Sequence, residues 1–263
     1  MPATEEPKQE IPSTTVWSFP DRGKWATHSA KYRGNWAPQI PHYLIRLYSK
    51  AGDSVLDPMV GSGTTLIEAK LLKRRGIGLD IHRDAVELAR KSVAFKTEDE
   101  THEPKVSIGD ARNLQSIENE SIDLVLTHPP YLNIIQYGSK DVDGDLSRIS
   151  NLNKFCDEIE KVASECYRVL KPGKYCTILM GDTRRRRHFV PLAYNVMQRF
   201  LKVGFILKED IIKLQHNCAT TRYWNANAKD FLLIMHEHLF VFRKPSTNEE
   251  VSDCKNSMWQ GRS

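Results

Sequence analysis

A chain of 263 residues with 40% apolar and 27% charged side chains can bury one sizeable core, which argues against wholesale disorder and for one α/β domain with short extensions. Its five cysteines form no CxxC pair, no apolar run reaches the ~18–20 residues of a membrane span, and the N-terminus lacks a signal-peptide core. The expectation is therefore a cytoplasmic or nucleoid-associated, intracellular protein with no metal and no membrane partner, and the formal charge of +5 only mildly favours a polyanionic one.

Residues 1–15, rich in Pro, Glu, Thr and Ser, read as a disordered lead-in. From Trp17 onward the aromatics Trp17, Phe19, Trp25, Tyr32 and Trp36 alternate with Arg22, Lys24, His28, Lys31 and Arg33. Such a segment either pins its rings on the core or walls a ligand pocket. It feeds a helix expected from about Ile40 to Ser49, and Ala51-Gly52-Asp53 then turns into the first strand. That strand ends at Val55-Leu56-Asp57, passes through Pro58-Met59-Val60-Gly61-Ser62-Gly63-Thr64-Thr65, and restarts with helical spacing at Leu66, Ala69 and Leu72. Strand, glycine turn, helix lets backbone approach a nucleoside-containing ligand. The spelling is neither GxGxxG nor a Gly-Lys-Ser/Thr phosphate loop, and a cradle without lysine suits a cationic ligand.

The second strand, Ile77–Asp80, again ends on an acid, 23 residues past Asp57 and close to the ~20-residue offset at which an acid holds ribose hydroxyls. A helix from Arg83 to about Phe95 and a strand from Lys105 to Ile108 lead to Asp110. In an open parallel sheet the ligand lies beyond the carboxyl ends of the strands, so Asp57, Asp80 and Asp110 are expected on one rim. A fourth strand, Ser121–Leu126, runs into Thr127-His128-Pro129-Pro130-Tyr131, where two prolines lacking ladder donors fix a stiff corner. Residues 132–150 read as a polar loop, Phe155–Leu170 as a helix ended by Lys171-Pro172-Gly173, and Tyr175–Met180 as the fifth strand. Arg184-Arg185-Arg186-Arg187-His188 follows at once, either a solvated patch or a set of phosphate contacts beside the cleft. A helix over Val190–Leu201 precedes two strand-like runs, Phe205–Leu214 and Phe231–Phe242, able to pair antiparallel at a sheet edge. Between them lies a tongue, residues 215–230, carrying His216, Asn217, Thr220, Thr221, Arg222, Tyr223 and Trp224. Residues 245–263 read as a disordered tail.

Together these elements resemble the amino-methylating class of S-adenosylmethionine (SAM)-dependent DNA methyltransferases. Asp57-Pro58-x-x-Gly61-Ser62-Gly63-Thr64-Thr65 is similar to their SAM-binding motif, and Thr127-His128-Pro129-Pro130-Tyr131 to their catalytic (Asp/Asn/Ser)-Pro-Pro-Tyr motif. Asn35-Trp36-x-Pro38-x-x-Pro41 is similar to the stretch that contacts the methionine part of SAM. The resemblance implies a Rossmann-like α/β fold in one catalytic domain, residues 16–244, with a mostly parallel seven-stranded sheet and an antiparallel edge hairpin. It implies SAM as cofactor, DNA as partner and a restriction–modification setting. Asp80 would take the ribose, Asp110 the adenine amine, and Asp57 the loop or the methionine ammonium. His128 and the Pro129 carbonyl would accept hydrogen bonds from the target amine, and Tyr131 would stack on the base. His128 stands where the family has Asp, Asn or Ser. The Thr-x-Pro-Pro-Tyr spelling with Asn133 and Tyr137-Gly138 looks most like the cytosine-N4 branch. Adenine N6, guanine N2 of RNA, and an inactive SAM-binding partner subunit stay open. Target recognition is expected from 132–150, 184–188 and 215–230, with a short target sequence, a homodimer or a helper subunit.

Overall fold

A computed structural model describes residues 10–97, 100–137, 142–216 and 230–261. The described residues form ten strands and five α-helices. In order they are β1 (Val16–Ser18), α1 (Gln39–Tyr48), β2 (Ser54–Asp57), α2 (Thr64–Leu71), β3 (Arg75–Asp80), α3 (Arg83–Val93), β4 (Lys105–Ile108) and β5 (Ile122–Thr127). They continue with α4 (Leu152–Val169), β6 (Leu170–Met180), β7 (Thr183–Arg185), β8 (His188–Val190), α5 (Leu192–Val203), β9 (Ile206–Leu214) and β10 (His236–Arg243). The main sheet has the order β1-β9-β10-β6-β5-β2-β3-β4, and β7 and β8 form a separate hairpin. Strands β2 to β6 run parallel, while β10 lies antiparallel between β6 and β9.

β5 sits mid-sheet with all six residues buried, which is what a continuous Ile-x-Leu-Val-Leu run predicts for a strand covered on both faces. One core joins α4 and α5 to the sheet through Phe155, Ile159, Val196, Phe200 and Phe242. A second packs α1 with Trp17 and Trp36 from the aromatic segment, and a third seats α2 against α3.

Two expectations are corrected. The sheet has eight strands rather than seven, because Trp17 buries itself and carries Val16–Ser18 into a parallel pairing on the outside of β9. Consequently β9 and β10 do pair antiparallel, yet β9 is not the edge. α4 ends at Val169, and Lys171-Pro172-Gly173, expected between helix and strand, already lies within β6, which starts at Leu170 and not at Tyr175. The register jumps from Ile122–Leu170 to Leu124–Tyr175, and the extra residues form a bulge that tolerates a proline without a donor. Beyond β10 the described part of the tail packs back onto the domain. Glu249 pairs with Arg243, and two 3-10 turns (Val251–Asp253, Lys255–Ser257) bring Met258 and Trp259 to a groove shared with Met197 and Leu207. The lead-in expectation falls largely outside the described residues, as do Gly138 and most of the 215–230 tongue, including Asn217, Thr220, Thr221, Arg222, Tyr223 and Trp224.

Candidate active site

Asp57, the last residue of β2, does not point freely into solvent. Its carboxylate accepts from the Met59 amide (3.1 Å) and the Thr65 hydroxyl, stapling the turn to the start of α2. Burial pushes its pKa up to about 7, against those hydrogen bonds. Gly61 (φ +49°) donates its N–H to Asp80 at 3.0 Å, so the second acid holds the loop grown from the first strand. Asp80 also accepts from the His82 amide at 3.0 Å, and its burial raises its pKa. Gly63 (φ +87°) is the N-cap of α2, where a Cβ would lie 3.2 Å from the Ala89 Cα. Asp110 is engaged by Arg112, whose guanidinium reaches Oδ2 at 2.6 Å; burial raises the carboxyl, but the Arg112 hydrogen bonds hold it below the ordinary range.

Asp57, Asp80 and Asp110 line one cavity of about 770 Å³, together with Pro58, Ser62 and Thr64 of the turn. A fourth acid joins them, Asp145, which caps the turn Leu146–Arg148 and lies 3.3 Å from His82. Nothing in the spelling of the polar loop singles it out. Among the described residues no lysine or arginine lines this cavity. Four carboxylates beside the apolar Ile81, Ala111 and Leu146 disfavour a phosphate ligand and suit a sulfonium and ammonium joined to an adenosyl group. The residues present therefore fit SAM.

The aromatic segment both packs and walls. Asn35 donates to the Ser29 carbonyl (2.8 Å) and to the Ser62 hydroxyl (3.3 Å), tying this wall to the glycine turn. Glu68 of α2, not foreseen from sequence, is fully buried and anchors the wall through Trp25 Nε1 (2.7 Å), His28 Nε2 (2.5 Å) and His42 Nδ1 (2.8 Å).

At the end of β5, the two prolines divide the space. Pro130 lines the acidic cavity, and Pro129 lines a second one of about 1500 Å³. Asn35, Trp36, His128 and Tyr137 line both. The His128 ring stacks on Trp36 (centroids 5.7 Å, 21° between planes), and its Nε2 lies 2.8 Å from the Tyr131 hydroxyl. Desolvation pushes the imidazole down to about 4, so it is neutral at pH 7. Tyr131 packs on Gly181, where a Cβ would approach its ring at 2.8 Å, and donates to Glu237 at 2.9 Å.

Arg184–Arg187 lie on the β7–β8 hairpin, outside the described linings of both cavities. Arg184 sits over Phe231 and Phe189, Arg185 donates to Asn133 just past the proline corner, and Arg187 pairs with Asp230. The turn residues Arg186 and Arg187 both have positive φ, the geometry a two-residue hairpin demands, and they are exposed.

The described residues contain no group of three or more side chains suited to a metal, and no helix long and apolar enough to cross a membrane. Cys156, Cys166, Cys176 and Cys254 are free thiols, and Cys218 lies outside the described residues.

A largely parallel sheet with a glycine turn after its first long strand and an antiparallel strand beside β6 defines the Rossmann-like methyltransferase class. A SAM-dependent methyltransferase from Methanosarcina mazei superposes with a TM-score of 0.54 at 14% identity, covering 77% of this chain and 97% of that one. TrmN from Thermus thermophilus does so at 0.53 and 21%, covering 81% of this chain and 50% of that one. A family model described as DNA methylase, of the N6/N4 methyltransferases, matches residues 2–91 and 122–260. The chain belongs to that family. It is similar to the type II methyltransferase M2.DpnII of Streptococcus pneumoniae, 42% identical over 87 residues, which are 32% of this chain and 31% of that protein. It is also similar to the tRNA (guanine(10)-N2)-dimethyltransferase of Methanothermobacter thermautotrophicus, 36% identical over 101 residues, 38% of this chain and 29% of that protein. The matched stretch thus spans about a third of these relatives' own length.

Proposed function

We propose that the protein is a DNA amino-methyltransferase that uses SAM to methylate the exocyclic N4 of cytosine. The observation that carries the reading is the meeting of two cavities at His128: one acidic and free of lysine and arginine among the described residues, the other lined by Tyr131. The cytosine preference over adenine N6 rests on the Thr127-x-Pro-Pro-Tyr spelling.

SAM, held by the Asp57–Asp80–Asp110 rim and the Asn35–Trp36 wall, supplies an electrophilic methyl on a sulfonium that leaves as a neutral thioether. The protein's own task is alignment, which at near-attack distance is worth about 7–11 kcal/mol. In an aromatic amine the lone pair is delocalised. Two fixed acceptors, the Pro129 carbonyl and the neutral His128 ring, draw its N–H groups out of the ring plane and offset the charge that grows on nitrogen, and the unprotonated His128 nitrogen receives the proton that the methylated amine gives up. Tyr131 gives the base a ring to contact, and base–aromatic stacking of about 1–3 kcal/mol offsets part of the cost of extrusion. The exposed arginines of the β7–β8 hairpin supply phosphate contacts.

Purified protein incubated with labelled SAM and a mixture of mixed-sequence duplex DNA and total tRNA, followed by nucleoside mass spectrometry of each, tests the reading. N4-methylcytosine is the expected product. N6-methyladenine would retain the class and overturn the base; label in tRNA guanine alone would overturn the DNA substrate.

A further inference from the structure

We infer that Glu237 and Lys213 are positioning residues that fix the tautomer of His128, placing its proton on Nε2 and leaving the Nδ1 lone pair for the substrate. The consequence for catalysis rests on the proposed methyl transfer; the tautomer itself does not. Lys213 on β9 and Glu237 on β10 are directly cross-strand partners, and Lys213 Nζ donates to Glu237 Oε2 at 2.8 Å. The other carboxylate oxygen accepts from the Tyr131 hydroxyl at 2.9 Å, and that hydroxyl lies 2.8 Å from His128 Nε2. A carboxylate can only accept, and a phenol has one proton to give. With that proton committed to Glu237, the phenol oxygen must accept from Nε2–H. The reverse order would set the lone pairs of the phenol against those of Glu237 in a buried site.

The charge states support this order. Burial pushes Glu237 up, but Lys213, together with the hydrogen bond from Tyr131, holds the acid below the usual carboxylate range. Burial beside Glu237 raises Tyr131 well above the usual phenol range, so it keeps its proton. Nδ1 therefore carries the lone pair, on a ring that lines both cavities. A serine or an aspartate can rotate to present an acceptor, whereas an imidazole has one, and only on the correct nitrogen. Replacing the family's Asp, Asn or Ser by His128 thus requires a device that chooses the nitrogen, and the Lys213–Glu237–Tyr131 chain is that device.

Nitrogen-15 NMR of the full-length protein with labelled histidine, with the His128 signal identified by its loss in His128→Ala, reads the tautomer directly at pH 7. The wild type is expected to show a protonated Nε2 and an unprotonated Nδ1; the opposite pattern overturns the inference without any further variant. In Glu237→Gln, Lys213 holds the amide oxygen and turns the NH2 toward Tyr131, so the phenol must donate to Nε2 and the tautomer inverts. The expected kcat loss is about 10–100-fold, the usual scale for outer partners, with the KM for SAM within about twofold. Adding Lys213→Met frees the amide to turn its oxygen back, and the double variant is expected to recover both the wild-type tautomer and most of kcat. A double variant no better than Glu237→Gln alone would refute the positioning role. A wild type with the expected NMR pattern but no DNA methylation would instead refute the function proposed above.

Discussion

Replacing Asp57 by asparagine is expected to abolish a pH dependence of SAM binding that the wild type must show. The carboxyl is pushed up to about 7 because burial outweighs the hydrogen bonds from Thr65 and Met59, with the neighbouring Asp80 adding to the rise. A ligand that brings positive charge into the cavity favours the ionised form, so binding expels the proton from every molecule that carries one. If the bound carboxyl returns toward its ordinary value of about 4, the penalty on affinity is a factor of about 1 + 10^(7 − pH). That is about 11 at pH 6 and about 1.1 at pH 8, or about 1.4 kcal/mol between them. The sign follows: affinity tightens as pH rises through 7. Asp80, Asp110, Asp145 and His82 also face this cavity, so the asparagine variant is what isolates Asp57. Isothermal titration in two buffers of different ionisation enthalpy should count about 0.9 proton released at pH 6 and about 0.1 at pH 8. A wild-type Kd flat between pH 6 and 8, or an Asp57→Asn variant that keeps the slope, would refute the reasoning.

The acid limb of kcat should lie near pH 4, not at the ~6.5 of a free imidazole, because desolvation lowers His128 and Lys213 lowers it further while Glu237 only partly opposes them; a limb near 6.5 would contradict this. Gly63→Ala forces a Cβ into the left-handed region and to 3.2 Å from the Ala89 backbone, so urea unfolding should show a loss of about 2–3 kcal/mol, and a loss under 0.5 kcal/mol would count against the turn geometry. Changing Arg185, Arg186 and Arg187 together to alanine should weaken duplex binding and lower the salt slope by about 2–3, with SAM affinity unchanged; an unaltered salt slope would remove the hairpin from the interface.

Much of the rim was legible because it depends on local grammar. Three strands that end in an acid, and a proline pair that stops a fourth, announce where a parallel sheet presents its carboxyl ends, and Asp57, Asp80, Asp110 and His128 converge there. What could not be read was anything set by pairing far along the chain. Glu237 reaches Tyr131 across 106 residues, because β10 inserts between β9 and β6; in sequence it is only one polar residue between two histidines. Glu68 looked like an ordinary helix acid until His28 and His42 closed on it. Asp110 was visible, but its capture by Arg112 was not, since a side chain two residues on can point anywhere from a loop.

The claim on which everything else stands is that methyl donor and target base meet at His128, from opposite sides. A crystal structure with S-adenosylhomocysteine and a short duplex bearing the modified sequence tests it most directly. The adenosyl group should lie between Asp57 and Asp110 with its sulfur turned toward His128 and Pro129, and an extruded base should occupy the cavity of Tyr131. A sulfur directed away from residue 128, or a base held anywhere else, would contradict the account.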